Sequence, residues 1–264
     1  MKFYKYIAVV LVYRNVNDLE ECIDSMIEKI KNLKIIVVNA YFDNESRDEI
    51  EILSKKKQCD FINVENRGYG FGNNRGIDYA IAHYNFEFLI VSNPDVIVRE
   101  FKLPSFPCDI IAPLIVAADG HIQNPAVVKR NKLSEKLTYV GFKFNNKMLL
   151  YLGIAINKVL REIAVKIVNR RKTTFQIYQP HGSFVIFSKT AIDKLHPIYD
   201  ENMFLFSEEG VVSLRSIEAG LKAFYHTGIY IYHKEDRSMR LFNGSILEEL
   251  KKSNIYFYEK YCRS

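Results

Sequence analysis

Apolar runs of strand length alternate with segments of helical periodicity along the first 95 residues of this chain. The runs cover residues 7–13, 35–38, 61–64 and 88–91, and helical spacing covers residues 18–31, 46–57 and 77–84. Neighbouring parallel strands need a crossover connection, and a helix usually supplies it. The alternation therefore predicts an α/β fold whose central sheet is mostly parallel and flanked by helices.

The second half of the chain has a different character. Strands are predicted at 110–116, 182–187 and 223–232, and shorter helices at 189–195 and 211–219. Residues 129–172 are strongly basic and contain a long helical pattern at 148–168, and a last helix is predicted at 246–261. The 264 residues contain no repeat and no low-complexity linker, so we expect a single domain over 1–264 that changes role near residue 125.

The composition indicates where the protein is located and which partners it is expected to bind. Four cysteines lie without paired spacing, which indicates neither a zinc site nor a disulfide framework and fits a cytoplasmic location. The N-terminal apolar run is short and rich in β-branched residues, which favours a core strand over a signal peptide. The net charge of +6 suits an anionic small molecule or an anionic membrane. The basic segment lacks a reading motif, so we expect no nucleic-acid partner.

Three acidic or basic positions point to chemistry. Asp95 follows the end of the strand at 88–91, where open α/β sheets place ligands, while Glu208–Glu209 and His233 lie far along the chain. Together they suggest a divalent metal beside a general base. Taken singly, Asp95 also fits a turn, the glutamate pair a solvated first helical turn, and His233 a core histidine.

The glycine cluster at 65–76 is the next motif. Its spacing fails the G-x-G-x-x-G pattern, because Asn73 and Arg75 occupy the positions of the last glycine. We expect a loop that approaches a ligand closely, with Asn73, Asn74 and Arg75 offering donors to a pyrophosphate. The alternative is a plain loop with a helix cap.

Read in order, these motifs resemble a known family. VYRN at 12–15, IIVVNA at 35–40, ENRGYGFGNNRGI at 65–77, SNPDV at 92–96, HGSFVIFSK at 181–189, YDENMFLFSEEGVVSLR at 199–215 and YH at 232–233 make up the set. The chain resembles family-two glycosyltransferases of the GT-A fold, in particular the bacterial rhamnosyltransferase-like branch that builds surface polysaccharides such as capsule or O-antigen.

The resemblance implies a nucleotide-sugar transferase with a donor-binding half (1–125), an acceptor and catalytic half (126–245) that carries the basic helical insertion, and a C-terminal helix (246–264). It implies that Asp95 and His233 bind Mn²⁺ or Mg²⁺, that Glu209 is the general base of an inverting transfer, and that Glu208 supports it. The implied donor-binding residues are Tyr13, Asn15, Asn39, Asn66, Gly70, Asn74, Arg75 and Asn93. The implied acceptor-side residues are His181, Gly182, Ser183 and Arg215.

The chain departs from the family at three places. Asn39 stands where an aspartate is common, Glu209 replaces the commoner aspartate, and Val211 replaces a second acid. The last departure motivates an alternative function, a non-catalytic member of the fold that binds a nucleotide sugar or a partner transferase.

The resemblance also implies an acceptor carried on a polyprenyl diphosphate at the inner face of the plasma membrane. The apolar positions of the helix at 148–168, with Lys158, Arg161, Lys166 and the cluster 170–172, have the composition of an interfacial helix. We therefore expect peripheral binding to an anionic membrane. The alternatives are that the stripe packs on the core or forms a homodimer interface.

Overall fold

The computed structural model describes residues 1–171, 174–235 and 245–263. Its elements, in chain order, are β1 (Lys2–Val12), α1 (Val16–Lys29), β2 (Leu33–Tyr41), α2 (Asn44–Lys56), β3 (Asp60–Glu65), α3 (Tyr69–His83), β4 (Tyr84–Ser92), β5 (Val96–Phe101), β6 (Ile110–Ala117), α4 (Lys132–Lys143), α5 (Lys147–Arg171), β7 (Phe175–Ile177), β8 (Phe184–Ser188), α6 (Lys189–Leu195), α7 (Glu208–Glu218), β9 (Ala223–His233) and α8 (Ile246–Phe257). A turn of π-helix, Tyr258–Cys262, continues α8.

One sheet organises the molecule, in the order β3-β2-β1-β4-β8-β6-β9-β5, with β7 paired to β9. Strands β1 to β4, β6 and β9 run in one direction, while β5, β7 and β8 run against them. Six of the nine strands in the described residues are therefore co-directional, which agrees with the prediction of a mostly parallel α/β sheet.

Two hydrophobic layers cover the faces of this sheet. Along β1, Ile7 and Val9 face the layer formed with α3, α6 and α7, while Ala8 and Val10 face the layer formed with α1 and α2. Burial on both faces explains why the N-terminal strands read as continuous apolar runs and not as alternating ones.

The structure corrects several local predictions. The glycine cluster is mostly helical, because α3 begins at Tyr69, eight residues before the predicted start of its helix. Strands β5 and β7 and helix α4 were not expected. Two of them are short or polar: β7 has three residues, and β5 carries Arg99 and Glu100. Cross-strand pairing stabilises such strands, and a local pattern does not report it.

The basic insertion is a hairpin of α4 and α5. The two helices approach closely where Gly141 meets the backbone of Leu150, and the Ser134 hydroxyl donates to the Gly153 carbonyl at 2.7 Å. Much of the predicted apolar stripe is exposed, with Met148 at 72% and Ile163 at 55%, so it does not pack wholly on the core. Lys172, in the predicted basic cluster, lies outside the described residues. Within the described part of the chain, no helix is both long and apolar enough to cross a bilayer.

Candidate active site

A cavity of about 380 Å³ lies where the carboxyl ends of the co-directional strands meet. The register of the sheet gathers its residues. Val96, the first residue of β5, pairs with His233, the last residue of β9, and Ser92 at the end of β4 pairs with Phe184 at the start of β8. This is the sheet edge at which α/β proteins place their ligands.

The edge brings Asp95 and His233 together. His233 Nε2 lies 3.2 Å from Asp95 Oδ1, and both side chains are buried. The contact lacks the alignment of a hydrogen bond, and Asp95 Oδ1 has no hydrogen-bond partner among the described residues. The backbone N–H of Lys234 donates to the Asp95 carbonyl at 2.9 Å and fixes the two chain segments to each other.

A hydrogen bond on the far side of the ring orients His233. Its Nδ1 lies 2.7 Å from Gln123 Oε1, and the amide nitrogen of Gln123 donates to Glu235. Because Gln123 presents its oxygen, Nδ1 is the donor in this hydrogen bond, and Nε2 is the ring nitrogen that faces Asp95.

This donor set fits a divalent cation. Asp95 Oδ1 and His233 Nε2 converge on one point of the cavity, and carboxylate and imidazole are both ligands of divalent metals. The described residues contain no cluster of three or more His, Cys, Asp or Glu side chains able to hold a metal. The pair therefore fits a cation that takes its remaining ligands from a bound substrate and from water.

The carboxylate pair begins α7 and lines the same cavity. Phe206 and Ser207, directly before it, have φ angles of +74° and +68°, a backbone conformation that costs non-glycine residues of order 1–3 kcal/mol. Glu208 is 2% exposed, and burial followed by the charge of Glu209 raises its pKa well above the ordinary value. Burial also raises the pKa of Glu209, which the backbone N–H of Gly182 partly offsets.

The segment 181–183 packs directly against this pair. A Cβ atom added to Gly182 would lie 2.1 Å from Glu209 Oε1, so only glycine leaves room for the carboxylate. The Tyr69 hydroxyl donates to the Gly182 carbonyl at 2.8 Å, and the Asn93 N–H donates to the Ser183 carbonyl at 2.9 Å. Burial lowers the pKa of His181 to about 4, so this ring is neutral at neutral pH.

Ten of the predicted site residues line the cavity: Tyr13, Asn66, Asn93, Asp95, His181, Gly182, Ser183, Glu208, Glu209 and His233. Asn39 does not line the cavity, but the next residue, Ala40, does. The Asn39 side chain is 1% exposed, and its amide nitrogen donates to Asn63 at 2.7 Å. Its Oδ1 has no hydrogen-bond partner in the described chain.

The other predicted residues make structural contacts away from the cavity. Asn15 is the N-cap of α1, and Arg215 donates to the carbonyls of residues 195, 197 and 198. Asn74 joins α3 to Tyr199 through two hydrogen bonds, Arg75 pairs with Glu201, and Gly70 lies under the backbone of residue 200.

Sequence reasoning missed Gln123, Glu235 and Tyr69, which also line the cavity. Glu235 lies two residues after His233, close enough to have been considered with it. Gln123 ends a turn, and its neighbours in sequence give no indication that it lines a site. Tyr69 lies within the glycine cluster, where the glycines and the amide side chains were considered as ligands and the tyrosine was not.

Comparisons with known proteins add the fold. No family model matches the sequence, and no curated protein matches it. Among solved structures, the crystal structure of GalNAc-T7 with UDP, GalNAc and Mn²⁺ superposes with a TM-score of 0.58 over 88% of this chain, at 11% identity. This chain has a GT-A fold. It spans 44% of the length of that protein, and the fold prediction made from the motifs is confirmed.

Proposed function

We propose that this chain is an inverting, divalent-metal-dependent glycosyltransferase that moves a hexosyl or deoxyhexosyl unit from a nucleoside diphosphate sugar to a saccharide acceptor. One observation carries the proposal: a single cavity at the carboxyl edge of a GT-A sheet is lined by both the Asp95–His233 pair and the Glu208–Glu209 pair. A metal-binding pair facing a buried base is the minimum that this chemistry needs.

The donor occupies the side of the cavity nearer β1 and β4 in this proposal. Tyr13, Asn66 and Asn93 line that side, and α3 begins there at Gly68–Tyr69 with no side-chain cap on its N-terminus. The N-terminus of a helix favours a phosphate group. Asp95 and His233 would hold Mn²⁺ or Mg²⁺, and a cation there would neutralise charge on the departing nucleoside diphosphate.

We assign different roles to the two glutamates. In this proposal Glu208, the less exposed of the two side chains, holds a proton, because burial and the charge of Glu209 both raise its pKa. Glu209 then carries the single negative charge of the pair, steadied by the Gly182 N–H. Glu209 takes the proton of the acceptor hydroxyl while that oxygen attacks the anomeric carbon and the bond to the diphosphate breaks, which inverts the configuration.

A second candidate is a chain that binds the donor without transferring it. Val211, fully buried where the family pattern has an acid, is the observation that favours it. The two candidates share donor binding and differ in turnover, so a turnover assay separates them.

The test is a donor screen over UDP-, dTDP- and GDP-sugars, measuring release of nucleoside diphosphate with Mn²⁺, with Mg²⁺ and with excess chelator. We expect one sugar nucleotide to be consumed, faster with a saccharide acceptor than without, and not in chelator. A donor that binds tightly but is never consumed would favour the non-catalytic candidate.

We extend the proposal to a lipid-linked acceptor, at the stage of surface polysaccharide synthesis, and to peripheral binding at an anionic leaflet. Residues 129–166 contain nine Lys or Arg and two Glu, a net charge of +7 against +6 for the whole chain. Within this segment, α5 exposes Met148, Tyr151, Leu152, Val159 and Ile163 on one side. An exposed apolar face among basic side chains suits an anionic lipid surface.

Vesicle co-sedimentation tests the extension. Binding should require anionic lipid, weaken with added salt, and fall when Met148 and Ile163 are both changed to Ser. Recovery in the supernatant at low salt with anionic vesicles would contradict it and leave the exposed face for a second copy of the chain.

A further inference from the structure

A second cavity, of about 440 Å³, lies on the other side of the catalytic wall, between α4, α5, the start of α7 and α8. Its volume is within the roughly 300–1,000 Å³ of small-molecule sites. None of the catalytic or metal-binding residues above lines it.

Three short segments separate the two cavities and contribute to both. His121, Gln179 and Ser207 line the second cavity, while Gln123, His181 and Glu208, one or two residues further along the same segments, line the first. Each of these three segments therefore places residues in both cavities. A chain-like ligand whose end reaches Glu209 would have its next units beside this wall.

Polar atoms without partners mark the second cavity as a binding site. Tyr178 is 9% exposed, and its hydroxyl has no hydrogen-bond partner in the described chain; Asn157 Oδ1 and Arg161 Nε are likewise buried and unpartnered there. Burying such groups without a partner is costly, and a ligand that bonds them removes the cost. The set combines a donor, an acceptor and a hydroxyl, and the rings of Tyr139 and Phe257 line the same cavity. Aromatic faces with mixed hydrogen-bonding groups suit a sugar ring.

The charged residues that line the second cavity indicate which class of sugar it would favour. His121, Lys158 and Arg161 line it, and Glu135 is the acidic residue among its lining residues. Both oxygens of Glu135 accept hydrogen bonds from Arg130, at 3.0 to 3.2 Å, so its charge is already paired. Arg161 is paired with Glu162 at 3.1 Å through one terminal nitrogen, while its buried Nε has no partner in the described chain. A ligand with a carboxylate gains most from Lys158 and from this Nε.

We propose that this second cavity binds an acidic sugar unit, a hexuronate, of the saccharide acceptor. The assignment rests on the proposed glycosyltransferase function, and it names the class of acceptor that the function would use.

The test measures binding to the full chain without donor or metal, so that it does not depend on transfer. Methyl hexuronides of the gluco, galacto and manno series are titrated by ligand-observed NMR beside the matching neutral methyl hexosides. We expect at least one hexuronide to bind more tightly than its neutral partner. Tyr178→Phe should weaken that binding about five- to tenfold, the loss of one hydrogen bond, and Arg161→Met should abolish the preference for the acid.

Tyr225→Phe is the matched control. The Tyr225 hydroxyl is also buried and unpartnered in the described structure, but Tyr225 is fully buried in β9 and lines neither cavity. Its loss should leave hexuronide binding unchanged. Thermal unfolding of each variant checks that the fold persists.

Three results would overturn the inference: no hexuronide binding better than its neutral partner, equal effects of the two Tyr→Phe changes, or saturation by inorganic pyrophosphate in place of the hexuronides. Glycosyl transfer by a chain that fails this test would leave the proposed function standing. Hexuronide binding that depends on Tyr178, in a chain without transferase activity, would leave the cavity assignment standing.

Discussion

Replacing Gly182 with alanine tests the geometry of the proposed base without touching a catalytic group. The added Cβ would lie 2.1 Å from Glu209 Oε1, about 1.3 Å short of the 3.4 Å at which ordinary contact begins. The segment cannot retreat easily, since Tyr69 and Asn93 hold it from two sides. The carboxylate must therefore move by about 1 Å, and a displacement of that size can cost about 10²-fold in rate.

We expect Gly182→Ala to lower kcat about 10²-fold with donor affinity and fold stability nearly unchanged. The backbone at Gly182 is not left-handed, so alanine adds no backbone strain. Disturbing the Gly182 N–H contact would also raise the pKa of Glu209, moving the acidic limb of the kcat profile to higher pH.

Gly120→Ala is the control, because an added Cβ there meets nothing within 4 Å but φ is +84°. It should lose roughly 1 kcal/mol of stability and keep its kcat. A Gly182→Ala enzyme with wild-type kcat and an unshifted profile would refute the placement of Glu209 as base.

Further predictions concern the charged residues of the site. Asp95→Ala should abolish transfer and metal-dependent donor binding while the thermal midpoint is retained; full activity in excess chelator would contradict the metal role. Glu209→Gln should lower turnover about 10²–10⁴-fold with little change in donor affinity, whereas a larger loss in Glu208→Gln would exchange the two roles. Since burial raises the folded-state pKa of Glu208 above its ordinary 4.5, folding stability should fall as pH rises above about 4.5. The Glu208→Gln variant has no carboxyl group to ionise at this position, so its free energy of unfolding relative to the wild type should increase as pH rises. A difference that does not change with pH would show that Glu208 ionises freely.

The Asp95–His233 pair shows how much of the site could be predicted from the sequence. Residues that follow co-directional strands meet at one sheet edge, so the positions of Asp95 and His233 after apolar runs were enough to predict a common site. Their direct contact depends on β5, which pairs antiparallel with β9 so that Val96 lies opposite His233. That strand follows a three-residue turn and was not expected. The sequence therefore predicted that Asp95 and His233 lie at the same edge of the sheet, but not that their side chains are in contact.

The amide and guanidinium side chains were harder to interpret. Asn74 and Arg75 look like phosphate ligands in a glycine-rich segment, yet their partners, Tyr199 and Glu201, lie about 125 residues away in sequence. A donor group in a motif can serve a ligand or a distant backbone carbonyl, and only the tertiary structure decides which. The same holds for Arg215, which donates to three carbonyls that end α6 and the loop after it.

Val211 bears on whether the site can turn over, and the structure gives it a physical context. Its side chain is fully buried three residues after Glu208, whose pKa burial already raises well above the ordinary range. A carboxylate at position 211 would add a further desolvated charge close to Glu208 and Glu209, and such crowding favours a protonated carboxyl group over a second base. Valine there keeps a third carboxyl group away from the pair, which suits the proposed assignment of the proton to Glu208 and of the charge to Glu209. Val211→Asp should therefore destabilise the fold at neutral pH without raising kcat, and a gain in kcat from that change would show that the missing acid limits this chain.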